Sequence, residues 1–438
     1  MQRYLSSAIL FVAMATTVSG QTGQKPKKFL TAPLVIEDQG SFFIGGVPKV
    51  TDYATVPPPP GTTPAPAATV AAPHQITVGQ MYVQFQIPAK KYGGWPVIMV
   101  HGSSHTAACL EATPDGREGW YPHFVRKGVP SYIVDQAGRG RSGFDESVIH
   151  EGEAKIANGD VKSGRELIPA FPRITDDGAW TAWFGHLVPA NSTILTGRLI
   201  PHGDADDPNP HPDAFAHVAP LFPIDAVDAG DLSRVGAIGP APAGSNAYYA
   251  LEYYKQLVPN AEVTLPGSMC NACDPQMLSP ANTWTPLNLA MLVERLGGAI
   301  VVTHSQSGIM GHHMARILKE RGHLDMLKGL VTLEGSCSLP NSGLTAADFD
   351  NIPYLALKGD YTATSMVCQD TVNAINARRA EKQGTAKADY LKLDEMGILG
   401  VTHMMMLDKK NLEIADIILD WLTRNVRGQS ARRVRATN

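Results

Sequence analysis

The sequence contains no long apolar run and no long block of basic residues. No stretch approaches the ~20 consecutive apolar residues that a transmembrane helix needs, so we expect no membrane span. Only 18% of the 438 residues are charged, and the formal net charge is −4. The short basic tail at Arg432, Arg433 and Arg435 fits a solvated terminus better than a nucleic-acid site. We therefore expect no nucleic acid and no anionic membrane among the partners.

Cysteine is also scarce, and the odd total of five leaves at least one thiol without a partner in the same chain. Cys270 and Cys273 have the CxxC spacing, but no second pair accompanies them, which disfavours a zinc site. A local disulfide and two unrelated cysteines are the alternatives. Histidines and aspartates between residues 202 and 217 show no regular ligand spacing, so we expect a solvated loop there. The sequence thus predicts neither a metal nor a cofactor.

The N-terminal residues have the pattern of a secretory signal. Arg3 is followed by an apolar stretch over residues 8–15 and then by the small residues at 18–20, so we expect cleavage near Gly20. A secreted extracellular protein would fold where disulfides form. Asn191 begins an Asn-Ser-Thr sequon and is a candidate glycosylation site.

The core of the chain has the pattern of an α/β fold. Short continuous apolar segments, such as residues 95–100 and 299–302, are typical of strands that are covered on both faces. Helical patterns separate several of them, which predicts a mostly parallel central sheet flanked by helices. Between residues 144 and 287 this alternation disappears. A structureless loop of that length is improbable, so we expect an inserted cap over the carboxyl edge of the sheet.

These patterns divide the chain into consecutive parts. The predicted parts are a signal peptide (1–20), an N-terminal strand pair (21–55), a Pro-rich linker or loop (56–73), a core in two pieces (74–143 and 288–427), an inserted cap (144–287) and a basic tail (428–438).

Ser305 is the predicted nucleophile, because it stands where a buried strand runs into a helix. A nucleophile elbow needs small residues two positions before and two positions after the nucleophile, since the turn is tight. Glycine usually fills both positions, whereas Thr303 and Ser307 fill them here. Ser307 is the alternative nucleophile, although its own flank would then be the β-branched Ile309. The other alternative is that Ser305 only caps a buried helix.

A serine hydroxyl needs a base, and His403 is the candidate. It lies in a loop after the strand-like residues 390–393 and before the last predicted helix, in the Ser…acid…His order of this type of triad. Two carboxylates could orient its imidazole. Asp360 follows the later strand and Glu334 follows the earlier one, and chain position alone slightly favours Asp360.

An oxyanion hole is predicted from two backbone N–H groups. One is that of Gln306, directly after the nucleophile. The other belongs to the loop after the strand at residues 97–100, where Gly102 permits a close approach and the N–H of Ser103 or Ser104 points at the oxyanion.

Residues 135–143 form a glycine-rich loop with Arg139 and Arg141. It lacks the Gly-Lys-Ser/Thr ending of a phosphate-binding loop. We therefore interpret it as a structural turn.

Taken together, these segments resemble the secreted or periplasmic bacterial esterases of the α/β-hydrolase superfamily that lack a glycine elbow, and their fungal relatives. The resemblance covers about half the chain, at both ends of the core, and leaves the cap unmatched. A histidine loop with a hydroxyl residue before the histidine and three methionines after it is the most specific part. The matching stretches are residues 41–46, 113–117, 126–128, 135–136, 138–142 and 402–406 with Asp408.

The resemblance implies a carboxylic-ester hydrolase that acts on a small-molecule ester through an acyl-enzyme. It also implies that the triad acid is Glu334, which reverses the positional preference for Asp360. Cysteines matching Cys337 and Cys368 recur in the group, which makes them the best disulfide candidate. Bacterial members can carry two adjacent cysteines where this chain has Ser103 and Ser104, so a vicinal disulfide is impossible here.

Two functions of other classes remain open. One is a tailoring cyclase, lyase or lactonase that uses the same triad on a small molecule. The other is a catalytically silent binding module on the same scaffold.

Overall fold

A computed structural model describes residues 28–54, 74–169, 171, 173–175, 179, 183, 186–188, 198–200, 252–267, 284–335, 337, 339–359, 367–398 and 401–428. Several predictions concern residues outside those ranges: the signal peptide, the Pro-rich stretch, the sequon at Asn191, the run at 202–217, Cys270, Cys273, Asp360 and the arginines of the tail.

The centre of the fold is an eight-stranded sheet in the order β1-β2-β4-β3-β7-β8-β9-β10. The first two pairings, β1 with β2 and β2 with β4, are antiparallel, and all others are parallel. This confirms the predicted mostly parallel sheet. The strands are β1 (Ile36–Val50), β2 (Gln75–Pro88), β3 (Val97–Val100), β4 (Ser131–Asp135), β5 (His186–Val188), β6 (Arg198–Ile200), β7 (Ala299–His304), β8 (Leu327–Leu333), β9 (Tyr354–Lys358) and β10 (Ala388–Lys392).

The predicted N-terminal strand pair is wrong. Residues 36–50 form one long strand, β1, which pairs with β2 from the other side of the Pro-rich stretch. Gly45 and Gly46 have φ of 66° and 87°, which glycine adopts without steric cost, and the pairing with β2 continues across them from Ile44 to Val47.

Helices cover both faces of this sheet. The apolar strand β7 shows why, since Ile300 and Val302 pack into one hydrophobic cluster and Val301 packs into the other. Each fully buried side chain of this size contributes roughly 1.5–3 kcal/mol relative to an exposed one. The helices are α1 (Ala108–Glu111), α2 (Trp120–Arg126), α3 (Ser147–Ala157), α4 (Val161–Leu167), α5 (Trp284–Arg295), α6 (Ser307–Glu320), α7 (Leu339–Ser342), α8 (Val367–Ala380) and α9 (Asn411–Asn425).

Helix α9 packs one apolar face against the sheet side that also carries α2. Ile414, Ile418, Trp421 and Leu422 are buried in the same cluster as Trp120 of α2. The Trp120 indole N–H also donates to the Asn411 carbonyl at 2.7 Å, so its one polar group is satisfied in the core. Helices α5, α6 and α8 contribute to the cluster on the opposite face.

Within the predicted insert, the described parts comprise α3, α4 and a small antiparallel sheet of β5 and β6. Helices α3 and α4 pack closely at Gly152 and Gly164, where a Cβ on Gly152 would lie 2.7 Å from the Gly164 carbonyl. Helix α5 begins at Trp284, a few residues before the predicted return to the core. None of the helices in the described ranges is both long and apolar enough to cross a lipid bilayer.

A disulfide joins Cys337 to Cys368, linking the loop after β8 to the start of α8. This is the pair that the resemblance implied. Cys109 is a free, buried cysteine, and burial raises the pKa of its thiol. A buried neutral thiol is a poor nucleophile, so Cys109 is a core residue.

Candidate active site

The register of the parallel strands brings the starts of several loops to one edge. Val100 of β3 lies beside Thr303 of β7, and His304 lies beside Leu333 of β8. Leu333 in turn lies beside Leu357 of β9. The residues that follow these positions therefore converge at the carboxyl edge of the sheet, where α/β folds bind ligands.

Ser305 occupies a strained turn between β7 and α6. Its φ is 54°, in the left-handed region that non-glycine residues rarely adopt, and its side chain stays half-exposed between buried neighbours. The two small flanking residues hold this turn through their hydroxyls. Ser307 Oγ accepts from the His304 N–H at 2.8 Å, and Thr303 Oγ1 donates to the Val331 carbonyl at 3.1 Å. The geometry is that of a nucleophile elbow without glycine.

His403 and Glu334 are hydrogen-bonded to each other. His403 Nδ1 lies 2.7 Å from Glu334 Oε2, and both side chains are buried. The other carboxylate oxygen, Oε1, accepts from the Gly359 N–H at 2.7 Å, which fixes the plane of the carboxylate. Because Nδ1–H donates to Glu334, the imidazole is held in the tautomer that leaves Nε2 as its basic nitrogen.

Two contacts hold the backbone of His403 beside the elbow. His304, which directly precedes Ser305, lies with its Nε2 2.8 Å from the His403 carbonyl oxygen. On the other side, the His403 N–H donates to the carbonyl of Trp183 at 3.1 Å, and the Trp183 ring stacks on the imidazole with 6.3 Å between centroids. The insert therefore touches the histidine directly.

The loop that carries His403 is itself built around Asp408. The Asp408 carboxylate accepts from the Thr402 N–H at 2.7 Å and from the Thr402 hydroxyl at 2.8 Å. Arg117 caps the same loop, donating to the carbonyls of Asp408 and Leu407 at 2.7 Å each. Thr402 and Asp408, which belong to the most specific sequence motif, thus fix the conformation of the loop that carries His403.

Gly102 brings the loop after β3 against the elbow. A Cβ at this position would lie 2.9 Å from Ser305 Cβ and 2.9 Å from His304 Nδ1, so only glycine fits. The next residue, Ser103, has an N–H with no hydrogen-bond partner among the described residues, and the same holds for the N–H of Gln306. One of these backbone donors belongs to the residue after Ser305, and the other belongs to the loop that packs against Ser305.

Ser104 is the other donor predicted for this loop, and in the structure its N–H is engaged within the protein. Its N–H donates to Asn260 Oδ1 at 2.9 Å, so it is already used. Ser104 also has a φ of 57°, in the left-handed region that non-glycine residues rarely adopt. Of the two serines, only Ser103 keeps an available N–H.

Buried histidines surround this edge, and burial holds their pKa values low. Burial, followed by the nearby Arg139 cation, lowers the pKa of His101 to about 4. Burial lowers the pKa of His105 to about 3. Burial, followed by the neighbouring His403 imidazole, holds the pKa of His304 well below its usual range. These rings are therefore neutral at pH 7.

We expect the protein to lose stability as the pH falls below about 6.5, where unfolded histidines take up protons. In the folded protein, burial lowers the pKa of His101, His105, His312 and His313 to about 3–4. Between that range and about pH 6.5, the unfolded state therefore binds more protons than the folded state. Each such group lowers the free energy of unfolding by up to about 1.4 kcal/mol per pH unit over that window. Urea unfolding between pH 7.5 and 5 measures the slope, and a midpoint that does not move would contradict the prediction.

The structure brings together most of the predicted site residues. Ser305, His403 and Glu334 lie at the same edge with Ser103 and Gln306, whereas Asp360 lies outside the described residues. Ser307 is fully buried, with its hydroxyl used in backbone hydrogen bonds. Within the described ranges, no group of three or more His, Cys, Asp or Glu residues is arranged to hold a metal ion.

Sequence reasoning missed the residues that support the site. Asn260 contacts Ser104 across a separation of 156 residues, and no pattern in the sequence links the two. Arg139 was assigned to a structural turn, and its contact with Gln306 Oε1 spans 167 residues. Only His304 could have been predicted from the sequence, because it directly precedes the predicted nucleophile Ser305.

No protein-family profile matches the chain. The probable secreted lipase phiG of a fungal species (strain ATCC 74256) is 25% identical over 394 residues, which cover 78% of this chain and 85% of that protein. The atomic-resolution structure of a bacterial esterase is 27% identical, with a TM-score of 0.63, and the match covers 92% of this chain and 99% of that chain. Together with the strand order, this likeness shows that the chain has the α/β-hydrolase fold.

Proposed function

We propose that this protein is a secreted serine hydrolase that cleaves carboxylic esters through an acyl-enzyme. Ser305 is the nucleophile, His403 is the general base and Glu334 is the acid that orients it. The observation that carries the proposal is the hydrogen bond from His403 Nδ1 to the buried Glu334 carboxylate, beside a strained and half-exposed serine. The esterase and lipase names of the two relatives support the reaction class.

The proposed reaction has two stages. Ser305 Oγ attacks the ester carbonyl carbon while His403 Nε2 takes its proton, and the resulting intermediate expels the alcohol with that same proton. Water, activated by His403, then attacks the acyl-enzyme and releases the carboxylic acid. The cation that forms on His403 in each stage is stabilised by the Glu334 carboxylate.

The negative oxygen of each tetrahedral intermediate needs hydrogen-bond donors. The N–H groups of Ser103 and Gln306 are the proposed pair, one on each side of the nucleophile. A preorganised donor of this type contributes roughly 3 kcal/mol to lowering the barrier.

Secretion is part of the proposal. It is supported by the signal-like N-terminal pattern, by the Cys337–Cys368 disulfide and by the secreted lipase among the relatives. Glycosylation at Asn191 would follow from passage through the secretory route.

A fluorophosphonate probe and two chromogenic esters test the proposal on the purified secreted protein. We expect the probe to label Ser305, located by peptide mass spectrometry, and p-nitrophenyl acetate and butyrate to be hydrolysed. An unlabelled Ser305 would instead favour a silent binding module. Labelling without turnover of either ester would favour a dedicated cyclase or lyase.

A further inference from the structure

We propose that Arg139, Asn260 and Glu262 form a positioning frame that orients and strengthens the Ser103 and Gln306 donors. The proposal rests on the function proposed above. It assigns a role in the reaction to three buried residues outside the proposed triad. The three are called the oxyanion frame below.

Asn260 holds the loop after β3 with both ends of its side-chain amide. Its Oδ1 accepts from the Ser104 N–H at 2.9 Å, and its Nδ2 donates to Ser103 Oγ at 3.1 Å. The N–H of Val258 adds a third bond, to the Ser104 carbonyl at 2.9 Å. The segment that leaves the insert therefore fixes Ser103 and Ser104 in place and engages the N–H of Ser104.

Arg139 acts on the peptide group that contains the Ser103 donor. Its Nη1 donates to the Gly102 carbonyl at 2.9 Å, and His101 Nδ1 donates to the same oxygen at 2.8 Å. The Gly102 carbonyl and the Ser103 N–H belong to one trans peptide unit, so they point in opposite directions. A cation on the carbonyl fixes the plane of that unit and polarises its N–H, which strengthens the donor.

The same guanidinium reaches the second donor residue. Arg139 Nη2 donates to Gln306 Oε1 at 2.7 Å, which ties the first residue after Ser305 to the loop after β3. One side chain thus connects the two residues that supply the donors.

Glu262 forms an ion pair with the buried Arg139 guanidinium and so offsets the cost of burying its charge. It accepts from Arg139 Nε at 3.0 Å and from Nη2, and the Arg139 side chain is fully buried. Gly138 has a φ of 82° and packs against Glu262, where a Cβ would lie 2.4 Å from Glu262 Cα. Removing one partner would leave an unpaired buried charge, whereas removing both is far less costly.

Arg139→Lys and Asn260→Ala are the single variants, and Arg139→Met with Glu262→Met is the double variant that folds without a lone buried charge. The control is Arg141→Lys, because Arg141 lies in the same loop, and among the described residues its side chain donates to Asp135, Gln84 and Glu111. Each protein is assayed for p-nitrophenyl butyrate turnover and for its melting temperature. Inhibition by an alkyl trifluoromethyl ketone is measured in parallel, since Ser305 adds to its carbonyl and leaves a negative oxygen in the donor site.

We expect the frame variants to lose roughly 10- to 100-fold in kcat with little change in KM, because the donors act on the transition state. The inhibition constant of the ketone should rise in proportion to the loss in kcat/KM. The control should lose thermal stability only.

The proposal is overturned if the folded double variant and Asn260→Ala both keep kcat and ketone affinity within about twofold of the wild type. A change in melting temperature that is not accompanied by a change in ketone affinity would also overturn it, since that is a purely structural role. A wild type that neither hydrolyses the ester nor binds the ketone would instead reject the proposed function, so the two failures are distinguishable.

Discussion

We expect ester turnover to fall by on the order of 10⁵- to 10⁶-fold in Ser305→Ala, judging by the loss of the nucleophile in another serine hydrolase. Without the hydroxyl, His403 has no proton to take and no acyl-enzyme forms. The oxyanion donors and the binding surface remain, so a small residual rate over water is expected. Initial rates with p-nitrophenyl butyrate measure the loss, and circular dichroism checks that the variant is folded.

Ser307→Ala is the matched control, two residues further along. Its hydroxyl is fully buried and lies 2.8 Å from the His304 nitrogen and 3.0 Å from the Val100 carbonyl oxygen. Removing it should lower stability by about 1–3 kcal/mol, because it leaves buried backbone groups unpaired. Turnover should largely persist. An inactive Ser307→Ala beside an active Ser305→Ala would exchange the roles of the two serines.

The sheet could be predicted from the sequence because its central strands are buried on both faces. Residues 299–302 form a continuous apolar run, and the structure divides their side chains between two hydrophobic clusters. The pairing of β1 could not be predicted in the same way. Its partner, β2, lies beyond the Pro-rich stretch, and strand alternation alone does not specify which strand is the neighbour.

The central residues of the candidate site could also be predicted from the positions of the strands. Ser305, Glu334 and Gly359 each stand directly or nearly directly after a parallel strand, so their meeting at one edge follows from strand order. The choice between Glu334 and Asp360 did not follow from strand order, which slightly favoured the other residue. Only the resemblance to known esterases indicated Glu334.

The residues that support the site could not be predicted from strand positions. Asn260 and Glu262 belong to a segment with no regular pattern, and their contacts depend on the path of the insert back to the core. The two serines of the loop after β3 also looked equivalent in the sequence. They differ because Asn260 takes the N–H of one of them, and this depends on three-dimensional geometry alone.

The second large expected effect is the loss of turnover when the proposed triad acid, Glu334, is replaced. Glu334→Gln should lower kcat by ~10⁴-fold, judging by the loss when a triad aspartate elsewhere is made neutral. The structure gives a specific reason. Because the Gly359 N–H holds Oε1, the amide oxygen of the glutamine would take that place and its NH₂ group would face His403 Nδ1. Nδ1 would then have to accept, which puts the ring proton on Nε2 and removes the base.

Asp360→Asn is the comparison, since Asp360 is the acid that strand order favoured. We expect this variant to keep most of its turnover and to change mainly in stability. Nitrogen chemical shifts of His403 report the tautomer directly and should show the proton moving from Nδ1 to Nε2 in Glu334→Gln alone. If Asp360→Asn were the inactive variant and Glu334→Gln kept both its tautomer and its turnover, the hydrogen bond between His403 and Glu334 would be structural and the acid would be Asp360.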